Sequence, residues 1–387
     1  MLSASRLDQI DSTAHGRLSQ QALGLTLNVN EPFFGEIECK PVGGYVPPLS
    51  DKCSLNMIGR NRGIQGHHNS CYMDATLYAM FAYNYTFDSL LVRPQSKKDI
   101  PEYGEVQRVL KENIVNPLRA HGFVRADRVM ELRRLLDKLS SVRGLTSEEK
   151  DPEEFLNMLL ADILVTEPYL KLSTGLESFL YQLIVEKGEQ YMPSVQDLFN
   201  QSFLESNLKL NEVPNCLLLQ LPRYGKQYKL YNRLVNGAAS SLLHLTISCY
   251  FRILPSLELD ITDVIQNRPR QCNVCGRLAF LECRACFNRM ELGLEGIDFC
   301  NDCYQRAHEY AHNSPKHDPT RLNYSSELVN KFKNVVLLPN LRVRMELFAV
   351  LCIQTSHYVC FVKCGKGAQA NWCFFDSMAD RIGERTD

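Results

Sequence analysis

The stretch Gly63-Ile64-Gln65-Gly66-His67-His68-Asn69-Ser70-Cys71-Tyr72-Met73-Asp74-Ala75-Thr76-Leu77-Tyr78-Ala79-Met80-Phe81 reads as a glycine-containing loop running into a helix, with one cysteine at the join. Met73, Leu77, Met80 and Phe81 recur at helical spacing. Asn69 or Ser70 can cap the first turn, and Asp74 suits its positive end. Cys71 then stands at a helix N-terminus, where unpaired N–H groups and the macrodipole favour a thiolate over a thiol. The plainer alternative is a packing cysteine, one among fifteen in the chain. Residues far downstream decide between the two.

Composition narrows the classes. A chain of 387 residues with 45% hydrophobic content can bury one large core or two to three ordinary ones. Lys and Arg total 43 against 44 Asp and Glu, so no net field recommends nucleic acid or an acidic membrane surface as partner. No apolar run approaches the roughly 18 residues of a spanning helix. The start Met1-Leu2-Ser3-Ala4-Ser5-Arg6-Leu7-Asp8 lacks the charged and apolar regions of a secretory signal. The expectation is a cytoplasmic protein without a transmembrane segment. In a long intracellular chain, fifteen cysteines point to metal ligands, a reactive thiol and packing residues rather than to disulfides.

Along the chain, residues 1–54 carry Pro32, Pro41, Pro47 and Pro48 with weak periodicity and read as an N-terminal extension or linker. Residues 71–170 are helix-rich. Val129-Met130-Glu131-Leu132-Arg133-Arg134-Leu135-Leu136 keeps a helical apolar stripe, and Asp151-Pro152-Glu153-Glu154-Phe155-Leu156 opens a helix with an Asp cap followed by Pro at the first position. From about 176 the period changes to strands, at Phe179–Val185, Cys216–Leu221 and Leu243–Phe251. Helices first and strands later predict an α+β fold. Strand signals stop at Thr262-Asp263 and resume near Leu347, which marks 266–326 as an insertion between strands of one sheet.

That insertion has its own chemistry. Its spacing is Cys272-x2-Cys275-x7-Cys283-x2-Cys286-x13-Cys300-x2-Cys303-x4-His308-x8-His317. One CxxC is weak evidence, whereas three with trailing histidines are strong. Eight ligands make two tetrahedral sites with no open position, which is the pattern of structural zinc and leaves none for catalysis. His312 could replace either histidine. The arrangement resembles a B-box, and this likeness implies Cys272, Cys275, Cys300 and Cys303 on one ion and Cys283, Cys286, His308 and His317 on the other. The sequence does not name a partner for such a module.

Beyond the insertion, Leu347–Ile353 and His357–Val362 read as consecutive strands joined by Gln354-Thr355-Ser356, and Asn371–Phe375 as a third strand ending at Asp376. Adjacent strand ends can bring Asp376 to His357. Cysteine at a helix start, histidine on a strand and carboxylate on the next strand form a nucleophile, a base and its orienter. Cys, His and Asp in this chain order match papain-like enzymes.

These residues resemble the ubiquitin-specific proteases: Gly63 to Ala75 is similar to their Cys box, Thr355-Ser356-His357-Tyr358-Val359 with Phe374-Phe375-Asp376-Ser377 to their His box, and Asp151 to Leu156 to their acidic box. Leu219-Gln220-Leu221-Pro222-Arg223-Tyr224 is similar to a strand before the palm, so the likeness covers about 55–380. It implies a papain-like thumb, palm and fingers fold over 55–387, with the B-box-like module at 266–326 inside it. A B-box set within the catalytic domain marks one particular branch of the family. The likeness implies hydrolysis after the C-terminal glycine of ubiquitin, on linear and lysine-63-linked chains of polyubiquitinated signalling proteins, with a restraining role in NF-kappa-B and Wnt signalling. Cys71, His357 and Asp376 would be catalytic, Asn69 an oxyanion donor, and Asp151 and Tyr358 contacts for the ubiquitin tail.

Two departures qualify the match. Where the family carries an oxyanion Asn, five residues before the nucleophile, this chain has Gly66, so Asn69 and nearby backbone N–H groups must serve. The sequence also ends eleven residues after Asp376, before a further palm strand expected from the family. That supports a rival reading, a catalytically impaired ubiquitin-binding scaffold.

Overall fold

The computed structural model describes residues 41–49, 57–184, 193–221, 253–309, 317–339, 342–354 and 356–379. Two units divide the chain: one runs to Thr166 and resumes at Phe348, the other spans Glu167–Leu347.

In the first unit, β1 (Gly63–Ile64) leads into α1 (Cys71–Phe81). Every residue of α1 is buried. The sequence suggests a one-sided stripe, but Asp74 is the only charged residue in these eleven, so the helix can run through the interior. β2 (Phe123–Val124) pairs in parallel with β1, setting Gly63 opposite Phe123. α2 (Ala126–Leu139) buries Val129, Met130, Leu132, Arg133 and Leu136 on one face. α3 (Pro152–Asn157) begins as expected, with the Asp151 carboxylate accepting from the Glu153 N–H at 2.8 Å and Pro152 at the first position.

In the second unit, α4 (Val195–Glu205) starts with a capping box between Ser194 and Asp197. Its Leu198, Phe199 and Phe203 share a core with Leu259, Ile261, Ile265, Ile297 and Phe299. β3 (Glu258–Asp260) is the departure point of a long excursion containing β4 (Leu281–Glu282), β5 (Asp298–Phe299), α5 (Asn301–Glu309) and β6 (Thr320–Arg321). β4 is the centre of this small antiparallel sheet. The excursion returns at β7 (Arg344–Glu346), which pairs antiparallel with β3, Leu259 opposite Met345.

Chain order then re-enters the first unit with an antiparallel meander of β8 (Ala349–Gln354), β9 (His357–Cys364) and β10 (Asn371–Phe375). β9 packs on α1. Its buried residues include Tyr358, Cys360 and Val362, the alternation that puts every second residue on one face. From β10, the Phe375 ring stacks on Tyr78 of α1 with centroids 4.0 Å apart.

The described architecture mixes helix and sheet, but two strand expectations shrink. Pairing covers Leu180–Gln182 and Leu218–Gln220 only, and these lie parallel to each other. Neighbouring Phe179, Leu183 and Cys216 are buried outside those ladders. Apolar runs report burial, and pairing needs a partner backbone as well. The expected strand Leu243–Phe251 lies outside the described residues, as do Thr355 and most of 1–54.

Candidate active site and metal centres

The loop before Cys71 is fixed from three sides. Gly63 and Gln65 donate to the carbonyls of Gly122 and Val124, each at 2.9 Å, and the Gln65 side chain accepts from the Ala126 N–H at the start of α2. Gly66 donates to the Ser377 carbonyl at 2.8 Å. A Cβ at Gly66 would sit 2.7 Å from that carbonyl oxygen, so the close approach excludes any side chain there. Gly66, expected to stand where an oxyanion Asn would, instead clamps the Cys loop to the segment following Asp376.

His68 and Asn69 then adopt positive φ of 47° and 58°, and Ser70 returns to the right-handed region at φ −84°, ψ −3°. Left-handed backbone costs an L-residue about 1–2 kcal/mol, least for Asn. The turn leaves the successive amides of Asn69, Ser70 and Cys71 without a partner among the described residues. A left-handed residue followed by a right-handed one makes a concave nest of N–H groups suited to an anion. Ser70 does not cap α1 with its side chain. Its hydroxyl instead donates to Asp74 at 2.5 Å and accepts from the His67 N–H at 2.9 Å. The Asn69 side-chain Nδ2 donates to the Ser147 carbonyl at 2.9 Å, so the side chain is held by the 144–148 loop.

Cys71 is 6% exposed, with its Sγ 3.8 Å from the Ser356 carbonyl. His357 opens β9 and bonds Asp376, and the neighbouring Cys71 also favours the charged form of its ring. Its Nε2 lies 2.8 Å from Asp376 Oδ1, leaving Nδ1 for the cysteine. Register explains the meeting: Cys360 faces Phe375, so one step further Asp376 falls opposite Val359, on the same face as His357. Asp376 Oδ1 also accepts from the Met378 N–H at 2.9 Å, which orients the carboxylate. The bond to Asp376, followed by the neighbouring Cys71, outweighs desolvation and raises the His357 pKa from 6.5 to about 10. Both neighbours thus favour the charged ring.

Asp151 and Tyr358 also meet, the Tyr358 hydroxyl donating to Asp151 Oδ2 at 3.0 Å. The start of α3 is thereby tied to the strand bearing His357.

One residue of this centre is missed by sequence reasoning. Arg133 is fully buried in α2 and donates to the carbonyls of Leu145, His67 and His68, the last two at 2.7 Å each. The sequence analysis gives it no role, yet position 133 falls on the buried stripe of 129, 132 and 136. That periodicity is the signal that could have found it.

In the second unit the cysteines close on one another. The ligand atoms of Cys272, Cys275, Cys300 and Cys303 lie within 4.8 Å of each other, as do those of Cys283, Cys286, His308 and His317. Tetrahedral zinc with bonds of about 2.3 Å to sulfur requires ligand separations of roughly 3.7 Å, slightly less where nitrogen replaces sulfur. Cys275 and Cys300 are 3.7 Å apart, Cys283 and Cys286 3.6 Å, and Cys286 lies 3.3 Å from His308 Nε2. His308 Nδ1 bonds the Tyr304 carbonyl at 2.8 Å, which fixes the tautomer with Nε2 available for a metal. Gly276, at φ +71°, makes the turn after the first pair and donates to the Cys272 carbonyl at 2.8 Å. Both groups fit zinc. His312 lies outside the described residues.

No described helix is long and apolar enough to cross a membrane. The family model described as ubiquitin carboxyl-terminal hydrolase matches residues 62–385. The chain is similar to proteins named ubiquitin carboxyl-terminal hydrolase CYLD, with 44% identity to that of Mus musculus and 43% to those of Rattus norvegicus and Homo sapiens, over 92% of its own length. It spans about a third of the length of these relatives, 36% of the mouse protein and 35% of the human one. The chain belongs to the ubiquitin carboxyl-terminal hydrolase family, a family of cysteine-type deubiquitinases.

Proposed function

We propose that this chain hydrolyses the isopeptide or peptide bond that follows the C-terminal glycine of ubiquitin, through a thiolate–imidazolium pair of Cys71 and His357. The Cys71 thiolate adds to the scissile carbonyl, and the amides of Asn69, Ser70 and Cys71 receive the oxyanion. His357 gives its proton to the leaving amine, and a thioester to ubiquitin remains. Water then loses a proton to His357 and attacks the thioester, releasing ubiquitin and restoring the thiolate. Asp376 holds the ring and its charge throughout. The observation that carries this reading is the 2.8 Å contact of His357 Nε2 with Asp376, on a ring whose charged form the neighbouring Cys71 also favours. It favours turnover over the scaffold reading, since binding alone needs no oriented imidazole.

The linked pair Asp151 and Tyr358 offers a carboxylate beside the triad strand for the basic tail of ubiquitin. The finer preference for linear and lysine-63-linked chains on signalling proteins rests on likeness to relatives, and a cytoplasmic site of action rests on the cysteine usage. Residues 55–387 form the catalytic domain in this reading and 266–326 a B-box-type insertion. Two zinc ions held by Cys272, Cys275, Cys300 and Cys303, and by Cys283, Cys286, His308 and His317, would supply folding energy to that insertion. With protein ligands filling each coordination shell, neither would take part in the reaction.

The test is incubation with linear and lysine-63-linked ubiquitin dimers. Release of monomer by the parent chain and none by Cys71→Ala supports the proposal. Binding of dimers by the parent without release would support the scaffold reading instead.

A further inference from the structure

We infer that Arg133 is a positioning residue for the oxyanion amides, fixing the peptide planes on either side of His68 so that the Asn69 N–H faces the developing charge. This rests on the hydrolase reading above. The carbonyl of one residue and the N–H of the next lie in a single rigid plane and point in opposite directions. Arg133 Nη2 holds the His68 carbonyl at 2.7 Å, so the Asn69 N–H of that plane points away from the guanidinium. Nη1 holds the preceding plane through the His67 carbonyl, also at 2.7 Å. These planes flank the left-handed His68 and lead into the left-handed Asn69, the two residues whose conformation creates the nest and which local preference alone would not select.

The chemistry of Arg133 supports this. A buried guanidinium ordinarily offsets its desolvation with a carboxylate, as the equally buried Arg119 does through two bonds to Asp88 at 2.7 and 2.8 Å. Arg133 spends its fork on carbonyls, and its pKa is lowered by burial. The third carbonyl, Leu145, belongs to a segment α2 grips twice, because Asp137 accepts the Leu145 N–H at 2.9 Å. That same 144–148 loop holds the Asn69 side chain through Ser147. Arg133 thus joins the rigid α2 to both sides of the nest. A lysine presents a point charge without the planar fork, and can replace only part of this.

The experiment uses the full chain carrying Arg133→Met or Arg133→Lys. Two reactions of Cys71 are compared: cleavage of a linear ubiquitin dimer, which passes through an oxyanion, and alkylation by iodoacetamide, which does not. Alkylation is read at the Cys71 peptide by mass spectrometry. The expected result for Arg133→Met is a kcat about 100-fold lower, with KM and the alkylation rate each within about threefold of the parent; Arg133→Lys recovers part of the kcat. Equal kcat in parent and variants overturns the proposal, as does a fall in alkylation as large as that in kcat, which would mean a general packing role. If Arg133→Met does not fold, Arg133→Lys carries the test under the same criteria. A parent chain that cleaves no dimer overturns the hydrolase reading and this one together, whereas cleavage with unaffected variants overturns this one alone.

Discussion

The two units treat their thiols in opposite ways. In one, a single cysteine stands beside a shared histidine and three amides with no described partner. In the other, six cysteines and two histidines close into two groups whose ligand atoms lie within 4.8 Å of one another. A group that must change bonding partners during a reaction has to be held by its surroundings and left open in front. A ligand that must never exchange is best surrounded by its own kind. The same residue type therefore acquires reactivity or inertness from whether its partners leave a vacant direction.

This contrast can be broken most forcefully on the metal side. Structural zinc contributes about 10–16 kcal/mol of binding free energy to small metal-dependent folds. Metal analysis should return two zinc ions per chain, and stripping them, or Cys283→Ser, should unfold 266–326, measured as new protease cleavage there. A metal-free chain with unchanged cleavage would remove the basis for calling these groups inert ligands. Next in size is the nucleophile. Cys71→Ala should lower dimer cleavage by on the order of 10⁶, while ubiquitin binding measured by calorimetry is retained.

Asp376→Asn sharpens the account of the open site. His357 has its pKa raised from 6.5 to about 10, chiefly by Asp376. Because the folded value is the higher one, the associated stabilisation is complete below about pH 6.5 and is lost as pH rises through about 10. The substitution should therefore draw the alkaline limb of kcat/KM from near pH 10 towards neutrality and lower the rate at pH 7.5 by about a hundredfold. Melting temperatures of parent and variant should converge above pH 10. An alkaline limb that does not move would show that Asp376 is not what holds the imidazolium.

How much of this was readable in the sequence follows from the range of each interaction. Six of the eight candidate metal ligands come as three CxxC pairs, so their chemistry is local and legible; the division of the eight into two groups came from likeness to a B-box and not from spacing. The meeting of His357 with Asp376 could be anticipated because strand periodicity fixes the face of each residue. The burial of α1 on every side was not legible, since periodicity reveals one covered face and cannot count the neighbours on the others. Arg133 was hidden by its residue type. A guanidinium on an apolar stripe is placed by carbonyls of a distant loop, and carbonyls leave no mark in a sequence.

Gly66→Ala tests the smallest effect. Its Cβ would press on the Ser377 carbonyl oxygen at 2.7 Å and loosen the clamp between the Cys loop and the residues after Asp376. A destabilisation of about 1–3 kcal/mol is expected, read as a lower Tm. An unchanged Tm would mean that this contact relaxes freely.

The central claim is that Cys71, alone among fifteen cysteines, is the thiol presented to the end of a ubiquitin chain. Ubiquitin bearing an electrophilic C-terminus tests it most directly, because labelling requires a folded ubiquitin site and a reactive thiol together. The account predicts one covalent ubiquitin per chain, mapped by mass spectrometry to Cys71 and absent in Cys71→Ala. An adduct on another cysteine, or no adduct with a properly folded chain, would contradict it.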